Sequence, residues 1–468
     1  MRGAAARSRR IGGGVGWREE YEARLISAGE AAQLVQRGHT LYTPIGGDAY
    51  AVMPALIARI SELDREVRIR ACAPSPEQQW FKDEFAALGF DVNLEVYAGP
   101  GGRAALESLR ADYYPQLFST QFSHYDDRGS HEPIDVFMST CAPPDDEGYI
   151  HFGGVPWHKG DFVRRANVSV LEVCPWLPNV RTTERLHVTE VSAFVLTETA
   201  ERPPPPARDY QPEGPTIAGF VNELIEDGDT VQLGAGRTSI FLGDLGAFDG
   251  KRDIGWHSEV TPHAVLELMM EGTVNSSRKS LEPGLHVTTS VSPWNDEEAR
   301  WLEHGPVETR AVSEVNQIQV VAQQRRMTSI NNALSVDLTG QICAESLGTT
   351  VYHGTGGQPE FHIGAFIAPQ GKAITVLPST ARGGEQSRIV AQVADGSYVT
   401  IPRSFADHVV TEHGVARLAG KSQRQRAEEL IAIAHPDFRG ELRAAALRQY
   451  YPSGREAPPS RDSQAGGA

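Results

Sequence analysis

Cysteine is scarce. The 468 residues hold four, Cys72, Cys141, Cys174 and Cys343, each far from the next. No Cys-x-x-Cys pair occurs, which excludes a zinc knuckle and a dithiol redox site. That usage fits a reducing compartment and points to the cytoplasm. An excess of positive charge is also missing. Lys and Arg number 44 against 60 Asp and Glu, a formal net charge of −16. Such a balance argues against broad nucleic-acid binding, although a few local cations still suffice for an anionic ligand. No apolar run reaches the roughly 20 residues of a membrane span, so no membrane-crossing segment is predicted. The 15 histidines contain no His-Glu-x-x-His, and His151, His158, His257 and His263 form no metal signature. No metal cofactor is expected. There is no Gly-x-Ser-x-Gly elbow, which disfavours a serine hydrolase, and no Gly-Lys-Ser/Thr follows Gly234-Ala235-Gly236 to make that turn a P-loop.

What is present fits a globular chain of two or three domains: 40% hydrophobic and 22% charged residues over this length. Residues 1–16 carry four Arg and no acid, with no apolar core behind them. They lack the pattern of a secretory signal and read as a disordered tail or the product of an upstream start, with a transit peptide as the alternative. From Trp17 onward, strands alternate with helices. Helices are predicted over Glu19–Ile26, Ala28–Arg37, Val52–Leu63, Glu77–Leu88 and Ala104–Ala111. Between and after them, strands are predicted around Leu41–Tyr42 and over Val67–Ala71, Val92–Tyr97, Ile134–Met138, Val168–Val173 and Val191–Leu196. That alternation predicts an α/β fold with a largely parallel sheet. Pro203 to Pro206 can continue neither a helix nor a central strand, so residues 201–215 are read as a Pro-rich linker. A second α/β domain is then predicted over 216–451, after a first over 17–200, with a disordered tail over 452–468.

The pattern restarts after the linker. Gly38, Thr40 and Gly46 sit 190 positions before Gly228, Thr230 and Gly236, in the same order of helix, turn, strand and glycine loop. Two domains of similar topology, facing each other across a ligand crevice, account for this most simply. Further elements are predicted as a helix over Ile217–Ile225, a helix over Thr238–Leu245, and strands over Ile318–Ala322, Ile374–Leu377, Tyr398–Ile401 and His408–Thr411. Helices over Gln423–Ala434 and Phe438–Gln449 close the series.

Three stretches carry candidate chemistry. Gly255-Trp256-His257-Ser258-Glu259-Val260 places a carboxylate at a proposed crossing from a strand at Asp253-Ile254 to a helix over Thr261–Met270, where α/β folds reach their ligands. On local residues alone, a lone Glu there reads more readily as a helix-dipole partner or a solvated residue than as a nucleophile. Gly234-Ala235-Gly236 reads as a nucleotide-binding turn, strand then Gly-x-Gly then helix, or as a simple tight turn, since Ser239 stands where a third glycine belongs. Gly354-Thr355-Gly356-Gly357-Gln358 exposes backbone N–H groups that suit an oxyanion, or forms a surface turn. Asp145-Asp146-Glu147-Gly148 reads as an exposed acidic turn rather than a cation site.

Together these stretches resemble the acetyl-CoA hydrolase/transferase family, the glutamate-dependent CoA-transferases that include 4-hydroxybutyrate and acetate CoA-transferases. The likeness runs from about Trp17 to Tyr450. It is carried in chain order by Pro143–Gly153, VQLGAG at Val231–Gly236, WHSEV at Trp256–Val260 and INNALSVDLTGQICAESLG at Ile330–Gly348. VYHGTGGQPEF at Val351–Phe361, LPSTA at Leu377–Ala381, VVTEHGVA at Val409–Ala416 and IAHPDFRGEL at Ile433–Leu442 continue it. The family's His-Thr-Glu-Met core stands here as His257-Ser258-Glu259-Val260, and Glu360 replaces the usual Asp of the glycine loop.

The resemblance implies two pseudo-repeated α/β domains with the active site in the cleft between them. It implies coenzyme A and acyl-CoA as substrate, short-chain carboxylic acids as partners, and a homodimer. Glu259 is then the nucleophile, an anion near pH 7 if unperturbed. Asn316 and the backbone N–H of Gly356 or Gly357 are the implied oxyanion donors. Gln232, Gly234, Ala235, Gly236, Arg237 and Thr238 form the implied CoA turn, with Gly354, Gly356, Gly357 and Lys372 as further contacts. Trp256 and Val260, the altered neighbours of Glu259, are where substrate choice is expected to differ. No Glu follows the pseudo-equivalent Gly46-Gly47 loop, so one site per chain is expected. Transferase, acyl-CoA hydrolase and a non-catalytic CoA-binding module stay open on the residues alone.

Overall fold

The computed structural model describes residues 16–45, 49–63, 67–72, 91–94, 104–109, 111–122, 133–197, 201–202 and 204–451. The Glu77–Leu88 helix, the Gly46-Gly47 loop and both expected tails lie outside these residues, apart from Gly16.

The first half builds one parallel sheet of seven strands. They are β1 (Thr40–Thr43), β2 (Arg68–Ala71), β3 (Asp91–Leu94), β4 (Ala111–Tyr113), β5 (Val136–Cys141), β6 (Val168–Val173) and β7 (Ala193–Leu196). Their order across the sheet is β4-β3-β2-β1-β5-β6-β7. Neighbouring residues point to opposite faces of a strand, so a sheet covered on both sides needs apolar residues in pairs. The sequence supplies them. Leu41, Val136, Val170 and Val195 join one core, while their neighbours Tyr42, Phe137, Leu171 and Phe194 join the other.

The second half builds an eight-stranded sheet from β8 (Thr230–Leu233), β9 (Gly255–Thr261), β10 (His286–Val291), β11 (Val307–Thr309), β12 (Met327–Asn332), β13 (Lys372–Val376), β14 (His408–Thr411) and β15 (Gly414–Arg417). The order is β11-β10-β9-β8-β12-β13-β14-β15. Strand for strand this repeats the first sheet, with β15 added antiparallel at the edge. The repeat seen in the sequence marks its start. Gly38 and Gly228 both take left-handed backbone, at φ +82° and +79°, just before β1 and β8. The halves meet at the carboxyl ends of their strands. Val291 N–H donates to Gly154 O at 3.0 Å, and Thr182 bridges Thr309.

Four local expectations are corrected. Thr238–Leu245 is not a helix; three residues, Ser239–Phe241, form a 3₁₀ turn. Ser239 explains it, since its N–H goes to Asn332 Oδ1 at 2.8 Å and its hydroxyl to Gly234 O at 2.7 Å. Ile318–Gln323 is a helix, not a strand. Its β-branched run packs on the helix Gln358–Ile367, where Gly364 admits Val321 so closely that a Cβ would stand 2.5 Å from Cγ1. Tyr398–Ile401 makes one isolated bridge, Ile401 to Ile342, and is otherwise tied by Ser346 Oγ and Ile342 O. The helix predicted to reach Ala111 ends earlier, because Ala111–Tyr113 is β4.

Candidate active site

Glu259 lies inside β9, not in a turn after it. The strand begins at Gly255 and the next helix is His263–Glu271. Pairing with β10 is regular, but pairing with β8 is not. Val231 faces Trp256 and Leu233 faces Val260, so one residue of β8 opposes three of β9. Such a bulge twists a strand and re-aims its side chains. Here it turns Glu259 into the crevice at the carboxyl ends of the strands, the usual ligand position of an open parallel sheet.

The residues flanking Glu259 are fixed around it. Trp256 is fully buried, and its indole N–H donates to Thr261 Oγ1 at 2.9 Å. His257, also buried, donates through Nε2 to Val315 O at 2.8 Å. Burial holds its imidazole neutral, down to about 3. Val315 precedes Asn316, so the histidine anchors the backbone that carries the amide. Asn316 is 0% exposed, and its Nδ2 donates to Glu259 Oε2 at 2.6 Å. Gly357 caps the helix Gln358–Ile367, and its N–H also donates to the Glu259 carboxylate. A Cβ on Gly357 would stand 2.0 Å from Glu259 Oε2 and 2.5 Å from Asn316 Nδ2. Only glycine lets the backbone come this close.

A second carboxylate completes the group. Glu360 is 0% exposed, and its Oε2 lies 3.3 Å from the same Asn316 Nδ2. Its Oε1 accepts the backbone N–H of Ser119, from the first half, at 3.0 Å. Burial pushes Glu259 up to about 8; the Glu360 charge adds to this, while the Asn316 and Gly357 donors oppose it. Burial likewise raises Glu360 to about 7 against the bonds from Ser119 and Asn316. The unperturbed anion expected at Glu259 is thereby corrected.

Glu259 is half-buried at the wall of a cavity of about 1520 Å³. The cavity runs past the Gly234–Thr238 turn and the Gly354–Gln358 loop to Arg382 and Arg388, and past Phe438 near the end of the chain. Of the expected contacts, Gln232, Gly234, Ala235, Gly236, Arg237, Thr238, Gly354, Gly356 and Gly357 all line it. Gly234 and Gly236 press against Asn331 and Asn332; a Cβ at Gly234 would lie 2.3 Å from Asn331 Oδ1. Gln232 Oε1 is occupied by Ser329 Oγ at 2.7 Å and Asn331 Nδ2 at 3.0 Å. Arg237 is exposed and pairs with Asp209 of the linker at 2.7 Å. Because a 3₁₀ turn follows, the Gly-x-Gly stretch offers no α-helix N-terminus to a phosphate.

Two expectations fail on geometry. Lys372 opens β13 at the opposite end of the sheet, bound to Leu224 O and Asp229 Oδ2, both at 2.9 Å. It is not among the cavity residues. Trp256 faces the core, which leaves Val260 alone of the two altered neighbours at the cavity. Among the described residues no group of His, Cys, Asp and Glu could hold a metal. Asp145 is used in its own turn, accepting from the N–H groups of Glu147 and Tyr149 at 2.9 Å. Also among them, no helix is long and apolar enough to cross a membrane.

Comparison with known proteins identifies the family. Residues 6–203 match the acetyl-CoA hydrolase/transferase N-terminal domain, and residues 299–446 match the C-terminal domain of the same name. A succinyl-CoA:cyclohexane-1-carboxylate CoA transferase of Geobacter metallireducens is 34% identical over 92% of this chain and 97% of its own. The chain belongs to the acetyl-CoA hydrolase/transferase family. A 4-hydroxybutyrate coenzyme A transferase of Clostridium kluyveri, 32% identical over 91% of this chain and 98% of its own, agrees with that placement. Among solved structures, RipA from Yersinia pestis superposes with a TM-score of 0.84 at 28% identity, over 94% of this chain and all of its own. A 4-hydroxybutyrate CoA-transferase from Porphyromonas gingivalis gives 0.71 at 28% identity, over 93% and 100%. Glu259 falls in the stretch between the two matched family domains.

Proposed function

We propose that this family member is a CoA-transferase that moves CoA from an acyl-CoA, such as acetyl-CoA, to a short-chain carboxylate through a thioester on Glu259. The observation that carries the reading is the 2.6 Å bond from Asn316 Nδ2 to Glu259 Oε2 at the wall of a large cavity. That bond commits Oε2 and leaves Oε1 to attack. Oε1 adds to the thioester carbonyl, the C–S bond breaks, and a mixed anhydride and CoA thiolate result. The thiolate then adds to Cδ of Glu259 and expels the carboxylate of the first acid. A glutamyl-CoA thioester remains, and an acceptor carboxylate reverses both steps. The kinetics are ping-pong.

When the thiolate adds to Cδ, negative charge grows on Oε2. Asn316 Nδ2 already points at that atom, and Gly357 N–H already serves the same carboxylate. Donors in place before charge develops need no reorganisation, and each is worth about 100- to 1,000-fold. Attack requires the ionised Glu259. With its carboxyl raised to about 8, turnover falls as pH drops through that value. The site is assigned as single, on soluble, cytoplasmic chains that pair as homodimers, with neither nucleic acid nor membrane as partner.

Incubation with acetyl-CoA alone, followed by mass analysis of peptides, tests the reading. A CoA adduct on the Glu259 peptide, removed by hydroxylamine and absent from Glu259→Gln, is expected. Turnover of the variant should fall by at least about 10⁴-fold. Turnover of acetyl-CoA should rise when propionate, succinate or 4-hydroxybutyrate is added. An adduct with turnover indifferent to every acid makes the protein a hydrolase; no adduct and no turnover makes it a binding module.

A further inference from the structure

Glu360 has no step in the reaction above, yet it is buried against the group that performs it. It sits three residues after Gly357, in the first turn of the helix Gln358–Ile367. One amide nitrogen, Asn316 Nδ2, faces Oε2 of both glutamates, at 2.6 Å from Glu259 and 3.3 Å from Glu360. On its other side Glu360 receives the Ser119 N–H across the crevice. We propose that Glu360 is a positioning residue for Glu259. It holds the Asn316 amide between the two carboxylates, sets by its charge when Glu259 ionises, and ties both to the Phe118–Thr120 turn of the first half. The proposal rests on Glu259 being the nucleophile.

The surrounding groups single Glu360 out. On β9, His257 turns to Val315 O, and on its own helix His362 turns to Phe405 O; burial keeps both neutral, near 3 and 4. Glu314, beside Asn316, interacts with Arg310, Glu308, Asp161 and Glu282. Glu345, behind the glycine loop, accepts from Tyr113 OH at 3.0 Å and Thr400 Oγ1 at 2.8 Å. The Phe118–Thr120 turn contributes no ionisable side chain. Among the described residues, the charge that acts on Glu259 is that of Glu360. Two carboxylates at this separation resist losing both protons, so the pair titrates as a unit.

The test compares two substitutions in the full chain. Glu360→Gln keeps the volume but removes the charge, and because Ser119 N–H and Asn316 Nδ2 face different oxygens of Glu360, the amide NH2 must stand opposite one of these donors. Glu360→Asp keeps the charge and loses one methylene. Without the like charge Glu259 ionises more easily, so the acid limb of kcat/KM in Glu360→Gln moves to lower pH, by about one unit. On the alkaline plateau its kcat falls about tenfold, while KM for acetyl-CoA stays within about twofold. Glu360→Asp retains an acid limb closer to the wild type than Glu360→Gln does. A residue needed only to fill space would give the reverse order, with the isosteric Gln behaving as wild type, and that result overturns the proposal. If Glu360→Gln does not fold, the position of the acid limb in Glu360→Asp decides: a shift of more than about one unit overturns it. The CoA adduct separates two kinds of failure. No adduct on wild-type Glu259 removes the nucleophile reading itself. An adduct in the wild type with an unmoved limb in Glu360→Gln removes the role of Glu360 alone.

Discussion

β2 and β9 occupy the same place in their sheets, each beside the first strand of its half. β2 pairs with β1 residue for residue, Thr40 with Arg68 through Thr43 with Ala71. Just after it comes Cys72, which packs with Phe118 and Trp157 against Val312 of the other half. β9 carries the bulge and, on it, Glu259. One topology has thus been put to two uses. The regular strand leads into an apolar contact that joins the halves, and the irregular strand carries a carboxylate within it. Phe118 links the two uses, because the next residue, Ser119, gives its N–H to Glu360. A fold repeated twice needs only one bulged strand to be a site, provided the other half holds the donors in place.

Removing a donor on the β9 side should have the largest effect after the nucleophile itself. Asn316→Ala takes the amide from Oε2 and is expected to lower kcat by about 100- to 1,000-fold with a small change in KM. Steady-state kinetics with acetyl-CoA and propionate check this. A loss below about tenfold would mean that the bond at 2.6 Å orders the Glu259 carboxylate without serving the reaction. A contribution from the first half should be smaller. Tyr113, on β4, donates to Glu345 Oε1 at 3.0 Å and accepts the Thr355 N–H at 3.2 Å. Tyr113→Phe leaves both groups short of one partner and loosens the glycine loop. About five- to tenfold in kcat/KM is expected, the worth of one to one and a half kcal/mol. An effect as large as that of Asn316→Ala would erase the division between a reacting half and a holding half.

The sequence made much of this readable, by different routes. Paired apolar residues such as Leu41-Tyr42 and Val136-Phe137 spell a sheet buried on both faces, and Gly38 with Gly228 spells its repetition. Glu259, Asn316 and Gly357, which the structure brings together, were visible through the order of many short motifs. No local spacing relates residues 57 and 98 positions apart. The contact between Ser119 and Glu360, 241 residues apart, left no such trace. Where propensity decided, it misled. Ile318-Gln319-Val320-Val321 looks like a strand until the groove at Gly364 is known, and the Thr238–Leu245 helix is undone by one serine bonding back to Gly234. The bulge in β9 is a property of pairing with β8, which a single strand cannot display.

The smallest kinetic effect is expected at Lys372, where the largest structural argument against a ligand role lies. Lys372 and Arg326 share Asp229, which is 0% exposed and also accepts from Thr328 Oγ1 at 3.2 Å and Glu226 N–H at 2.9 Å. These contacts lie at the start of β8, β12 and β13, while Glu259 and the cavity lie at the far ends. Losing one partner of a buried charge costs several kcal/mol when the charge is left alone, but Arg326 remains. Lys372→Met should therefore reduce stability by about 1–2 kcal/mol. KM for acetyl-CoA should stay as in the wild type. Denaturant unfolding beside steady-state kinetics measures both. A tenfold rise in KM at unchanged stability would show that β13 reaches the ligand after all, and that the two ends of the sheet are not divided between structure and chemistry.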